Sequence, residues 1–132
     1  MRYLSIGALL FTAMLSISCN ESGEKRYRVS GEAFFDGKPI MAGEVIFTPD
    51  GSLNNSGPQG IAYIREGKFD TSAAEGKGVG GGPTIIRIMG LSKEGGKWIC
   101  DHEYKADLPR SDSTLKIEVP ADAVPKKAGP EI

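Results

Sequence analysis

The densest chemical signal in this 132-residue chain is GKGVGGG, residues 76–82, with five glycines in seven positions and one lysine. Glycine-rich turns can aim several backbone N–H groups at one anion. A nucleotide-binding P-loop needs Gly-x4-Gly-Lys followed by Ser or Thr at the head of a helix. Here Lys77 is followed by Gly78, and Pro83 heads the β-branched run TIIRIMG. The surroundings therefore predict a flexible lead-in to a core strand, with Lys77 an exposed loop charge.

Cys100 and His102 form the second candidate. Two residues apart on a strand, they share a face and could both meet a metal. Structural zinc takes four protein ligands and catalytic zinc three, whereas the chain has 2 cysteines and 1 histidine. The expectation is a buried thiol beside Trp98, with His102 near the strand end and no metal or other cofactor. A soft-metal site completed by a methionine is the alternative. Any Ser–His–acid triad would have to use His102, and no serine lies in Gly-x-Ser-x-Gly. The carboxylates nearby, Asp101 and Glu103 on the opposite face and Asp107 and Asp112 beyond, lack calcium-loop spacing and are expected to be solvated. No enzyme is predicted.

The elements that would carry these residues are short strands. In YRVSGEAFF, residues 27–35, Tyr27, Val29, Ala33 and Phe35 alternate with Arg28, Ser30 and Glu32, and only Phe34 breaks the pattern. Asp36-Gly37 and Glu66-Gly67 read as tight turns. EVIFTP, IAYIR with its return KFD, TIIRIMG, KWICDHEY and TLKIEV complete about seven strands. In KWICDHEY, Trp98, Cys100, His102 and Tyr104 are expected on one face. PDGSLNNSGP, residues 49–58, is an exposed loop without an aromatic platform, and Ile40 and Met41 cover the end of the core. This spacing predicts an all-β fold, a seven-stranded antiparallel two-sheet sandwich, with a small barrel as the alternative closure.

The first residues are of another kind. Arg2, the apolar run Leu4–Ile17 and the small residues before Cys19 have the layout of a signal peptide, residues 1–18, too short to span a bilayer. LSISC resembles the bacterial lipobox, with Ser16 at the usual leucine position and Leu15 one place early. Lipidation of Cys19 is expected, with residues 19–26 as anchor and flexible tether, residues 27–120 as the β-sandwich domain and 121–132 as a flexible tail. The alternative is secretion, with Cys19 free to pair with Cys100. A net charge of -1 offers no basic footprint for nucleic acid.

VSGEAFFDGKPIMAGEVIFTPDG, Val29 to Gly51, resembles the opening of the carboxypeptidase regulatory-like, transthyretin-like (prealbumin-like) β-sandwich family. GIAYIREGKFD resembles that family's second hairpin, and GGGPTIIRIMG its glycine–proline approach to the next strand. YKADLPRSDSTLKIEVP resembles the ending of short secreted lipoproteins of planctomycete-like bacteria. The likeness covers Tyr27 to Pro120. It implies folding, spacing or binding modules. The family's hydrolytic branch resembles a site of histidines, an arginine and a C-terminal Tyr-Arg-Gly-Ser; this chain has only His102 and ends Gly-Pro-Glu-Ile. The expected role is a non-catalytic, lipid-anchored module of the cell envelope that meets the membrane through Cys19 and an envelope protein or glycan through its surface. Small-ligand binding (carbohydrate, peptide or metal) is the alternative.

Overall fold

The computed structural model describes residues 25–125; the expected signal peptide, Cys19, most of the expected tether and residues 126–132 lie outside them. The described chain is all-β. Its strands are β1 (Val29–Phe35), β2 (Lys38–Pro39), β3 (Ala42–Pro49), β4 (Gly60–Arg65), β5 (Lys68–Asp70), β6 (Gly82–Leu91), β7 (Trp98–Leu108) and β8 (Ser113–Val119), with one 3-10 turn at Gly51–Leu53. All seven expected strands are present, and the two-residue β2 is additional. The Asp36-Gly37 and Glu66-Gly67 turns hold both residues at positive φ, at 50° and 74° and at 51° and 77°. That geometry matches the twist of the flanking strands.

The strands follow one curled, hydrogen-bonded path, β2-β1-β5-β4-β3-β6-β7, and β8 lies on the other edge of β1. One pairing departs from the expected antiparallel pattern. β8 runs parallel to β1 over its whole length, from Val29 opposite Ser113 to Phe35 opposite Val119. The reason is topological. Successive antiparallel steps from β1 through β5, β4, β3 and β6 leave β7 opposed to β1. The short reversal at residues 109–112 therefore returns the chain in β1's own direction.

Every strand except β2 contributes to one core. Val29 and Ala33 come from β1, Val45 and Phe47 from β3, Ala62 and Ile64 from β4, and Phe69 from β5. Ile86 and Ile88 add from β6, Cys100 and Leu108 from β7, and Ile117 and Val119 from β8. The alternate residues face outward. Phe34, which broke the sequence pattern, is one of them; the Lys116 ammonium covers its ring at 5.3 Å from the centroid, so the aromatic face is shielded by a cation rather than by the core.

The glycine-rich stretch is not the flexible lead-in expected. Lys77 exchanges both backbone hydrogen bonds with Ile61 at 2.9 Å, and Val79 exchanges both with Tyr27 at 2.7 and 2.9 Å. Val79 is buried in the core. The stretch is thus a strap knitted to strand backbone on both sides. Gly81 and Gly82 sit at φ +78° and +79°, where Cβ-bearing residues are strained. Three of its carbonyls are taken by side chains. Gly78 O and Gly80 O accept from Arg26 and Arg110, and Gly81 O accepts from Asn55. An anion cradle needs converging N–H donors, whereas the N–H groups of Lys77 and Val79 are spent on Ile61 and Tyr27. Lys77 is exposed.

Residues 121–125 also hold defined positions. The Asp101 N–H donates to Ala123 O at 3.1 Å, and Ala123 packs against the core. This stretch covers part of the β7 edge that β6 leaves unpaired.

Candidate functional site

The outward face of the sheet carries a groove built by cross-strand register. Arg65 on β4 faces Ala42 on β3, Ala42 faces Leu91 on β6, and Leu91 faces Trp98 on β7. The adjacent row runs Tyr63–Glu44–Met89–Asp101. Small residues at the centre of this surface, Ala42 and Gly43, leave a trough between the Tyr63/Arg65 wall and the Leu91/Trp98 wall. Gly43 has φ +145°, and a Cβ there would stand 2.1 Å from Met89 O, so the trough floor requires glycine.

Trp98 reaches this wall through a β-bulge. The β6–β7 register shifts between Gly90 and Leu91, so that Cys100 pairs with Gly90 and Trp98 with Leu91, skipping Ile99. A bulge inserts one residue and reverses which face the following side chains occupy. Trp98 therefore leaves the face of Cys100, His102 and Tyr104, where strict alternation would place it. It is 54% exposed.

Two depressions meet along the groove and share Tyr63 and Arg65. One, of about 210 Å³, is lined by Glu44, Leu91, Glu94 and Trp98 in addition. The other, of about 420 Å³, adds Ser30, Lys68, Asp70 and Ala73. Tyr63 is 36% exposed between them. Arg65 and Lys68 are directly opposite each other across the β4–β5 hairpin. Like charges so placed repel, and among the described residues neither takes part in an ion pair. Asp70, which lines the same depression, is already engaged. It receives both Arg28 Nε, at 3.0 Å, and Arg28 Nη2, and its Oδ1 accepts from the Ser72 N–H and hydroxyl. The Arg28 guanidinium, followed by the Ser72 hydrogen bonds, holds the Asp70 carboxyl well below the usual carboxylate range despite partial burial.

The residues singled out from sequence occupy other places. Cys100 is fully buried, its Sγ over Gly90, and burial raises its thiol pKa, opposing thiolate chemistry. His102 stacks on Tyr104 with ring centroids 6.0 Å apart. Among the described residues no three His, Cys, Asp or Glu side chains converge as metal ligands. Two of the four carboxylates expected to be merely solvated are committed to partners. Asp101 forms a two-pronged pair with Arg87 at 3.0 and 2.8 Å, which lowers its pKa, and Asp112 accepts the Arg28 N–H at 2.9 Å. Of the pair expected to cover the core's end, Ile40 is buried and Met41 is 47% exposed.

Asp50 was not singled out from sequence. It is buried, and its Oδ1 accepts from the Ser52 N–H and hydroxyl at 3.0 and 2.6 Å, closing the turn after β3. Its Oδ2 accepts no hydrogen bond and lies 3.5 Å from Lys105 Nζ. The Ser52 hydroxyl is the chief reason its pKa is lowered, with Lys105 helping. Asp70-Thr71-Ser72 repeats this Asp-x-Ser turn after β5, and both are local side-chain caps.

The groove residues Tyr63, Arg65, Lys68 and Leu91 were likewise passed over. One signal was readable: REGK, residues 65–68, must place two cations opposite each other once Glu66-Gly67 is the turn. In comparisons with known proteins, no family model and no curated protein matches this chain.

Proposed function

We propose that the chain is a non-catalytic binding module held at the cell envelope by lipid on Cys19, displaying the Tyr63–Trp98 groove from a two-sheet, transthyretin-like sandwich. One observation carries the binding reading. Cys100 is buried in the core, Asp50 caps a turn, and Asp70 and Asp101 are ion-paired, while the groove leaves Tyr63, Trp98 and two like-charged cations exposed. Exposed aromatic surface with convergent polar groups is the usual form of a recognition site.

The sandwich reading rests on two features. β4 and β5 share a single registered pair, Arg65 with Lys68, so strand-to-strand pairing between the halves β5-β1-β8 and β4-β3-β6-β7 narrows to a hairpin corner. The 109–112 connection then spans from the end of β7 to β8. Its five steps reach at most about 18 Å, enough to cross two stacked sheets about 10 Å apart. The anchoring reading rests on the leader and the LSISC run. Two or three acyl chains on Cys19, each contributing about 0.8 kcal/mol per buried methylene, would hold the module stably. Among the described residues no helix is long and apolar enough to cross a membrane.

Mass spectrometry of the mature N-terminus tests the anchor. A diacylated or triacylated Cys19 supports it; a chain beginning elsewhere, or an unmodified Cys19, removes it.

A further inference from the structure

Taking the groove as a recognition surface, we propose that its occupant is an acidic oligosaccharide, with a uronate carboxylate held by Arg65 and Lys68 and neighbouring sugar rings running past Tyr63 towards Trp98. This deepens the binding-module reading and rests on it.

Charge complementarity selects the acidic end. Arg65 and Lys68 face each other across the hairpin at the lip of the 420 Å³ depression, and Asp70 beside them is neutralised by Arg28. A carboxylate between the two cations relieves their repulsion and can take both guanidinium prongs. The other end differs in sign. Glu44 and Glu94 line the 210 Å³ depression together with Trp98, so a second anionic group is disfavoured there, while sugar hydroxyls can donate to these carboxylates. The groove runs from β4 across β3 and β6 to β7. Three strand spacings make about 14 Å, room for a short run of sugar rings along the two aromatic walls.

Backbone pairing argues for a glycan over a peptide strand. β3, whose small residues form the floor, and β6 beside it are each paired on both edges. The floor therefore offers no free N–H or C=O ladder for strand addition. Recognition here must use side chains and ring faces, as sugars permit.

Trp98 is the only tryptophan in the chain, so its fluorescence reports occupancy directly. Full-length protein in detergent is titrated with a short oligogalacturonate, a neutral cello-oligosaccharide of equal length, and poly-glutamate. The expected result is a saturable blue shift with oligogalacturonate that weakens with salt. Arg65→Gln and Tyr63→Ala should each weaken it about tenfold or more. Lys116→Gln, on the outward side of β8 and outside the groove, should leave it unchanged. Urea midpoints of all variants guard against misfolding, and Arg65→Lys, which keeps the charge, should recover part of the affinity. No saturable shift, equal binding of the neutral sugar or poly-glutamate, or an unaffected Arg65→Gln would overturn the proposal. N-terminal mass spectrometry of the same preparation separates the two readings. A lipidated chain that ignores uronate loses only the glycan site, whereas an unlipidated chain that binds it loses only the anchor.

Discussion

Gly90 and Cys100 make a sharp test of the β6–β7 register that creates both the core contact and the bulge. A Cβ on Gly90 would stand 2.6 Å from Cys100 Sγ, 3.1 Å from Ile40 Cγ2 and 3.5 Å from Ile99 Cγ1. The first contact is untenable, and Cys100 is 0% exposed and cannot swing out to solvent. Gly90→Ala should therefore cost about 1–3 kcal/mol of overpacking, offset by about 0.4–1 kcal/mol from a stiffer unfolded chain. Cys100→Ala removes one heavy atom from the core and should cost about 0.5–1.5 kcal/mol, as a methyl deletion does. If the two positions meet as described, the new alanine methyl fills the space that Sγ leaves. The double variant should then be little worse than Cys100→Ala alone, a favourable coupling of about 1–2 kcal/mol. Urea unfolding of the four proteins measures it, read as midpoint shifts at constant m-value. Additivity to within about 0.5 kcal/mol would refute the pairing of Gly90 with Cys100 and with it the placement of Trp98.

Other outcomes follow from the same geometry. Asp70→Asn should destabilise by about 1 kcal/mol at neutral pH, since its pair with Arg28 is partly solvent-screened. The folded-state carboxyl titrates below its unfolded value of about 4, so this stability is present above pH 4 and is lost as pH falls further. Thermal melts of wild type and variant should draw together as the pH falls below about 4; a gap that does not narrow in acid contradicts the pair. Asp50→Ala, which abolishes the Ser52 cap, should lower the urea midpoint more than Asp50→Asn, which keeps an acceptor; equal midpoints would assign the loss to the Lys105 contact instead. Acrylamide should quench Trp98 readily in the free protein, and a strongly protected tryptophan would place it back in the core.

Much of the fold was legible because alternation and turn chemistry are local. Val45 and Phe47, Leu115 and Ile117, and the Asp36-Gly37 turn announce their strands within a few residues. The parallel partnership of β1 and β8 was not, because it depends on the count of antiparallel steps between residues some eighty positions apart. The bulge at Ile99 was hidden for a related reason. Strict alternation put Trp98 with Cys100, and only the partner strand, through Gly90 and Leu91, shows the extra residue. The glycine stretch misled in another way. Its composition suggested pliability, yet Lys77 and Val79 supply a ladder to distant backbone. The groove was the least legible part, since its walls come from β4, β6 and β7 and its floor from small residues of β3. Only the Arg65–Lys68 opposition was encoded in one hairpin.

The central claim is that the outward groove between Tyr63 and Trp98 is where this module meets its envelope partner. A photo-crosslinking amino acid placed at position 63, at 98 or, as an outward-facing comparison on β1, at 34 tests it in living cells. The account predicts covalent capture of envelope material from 63 and 98 and little from 34. Capture from 34 with none from 63 or 98 would contradict it.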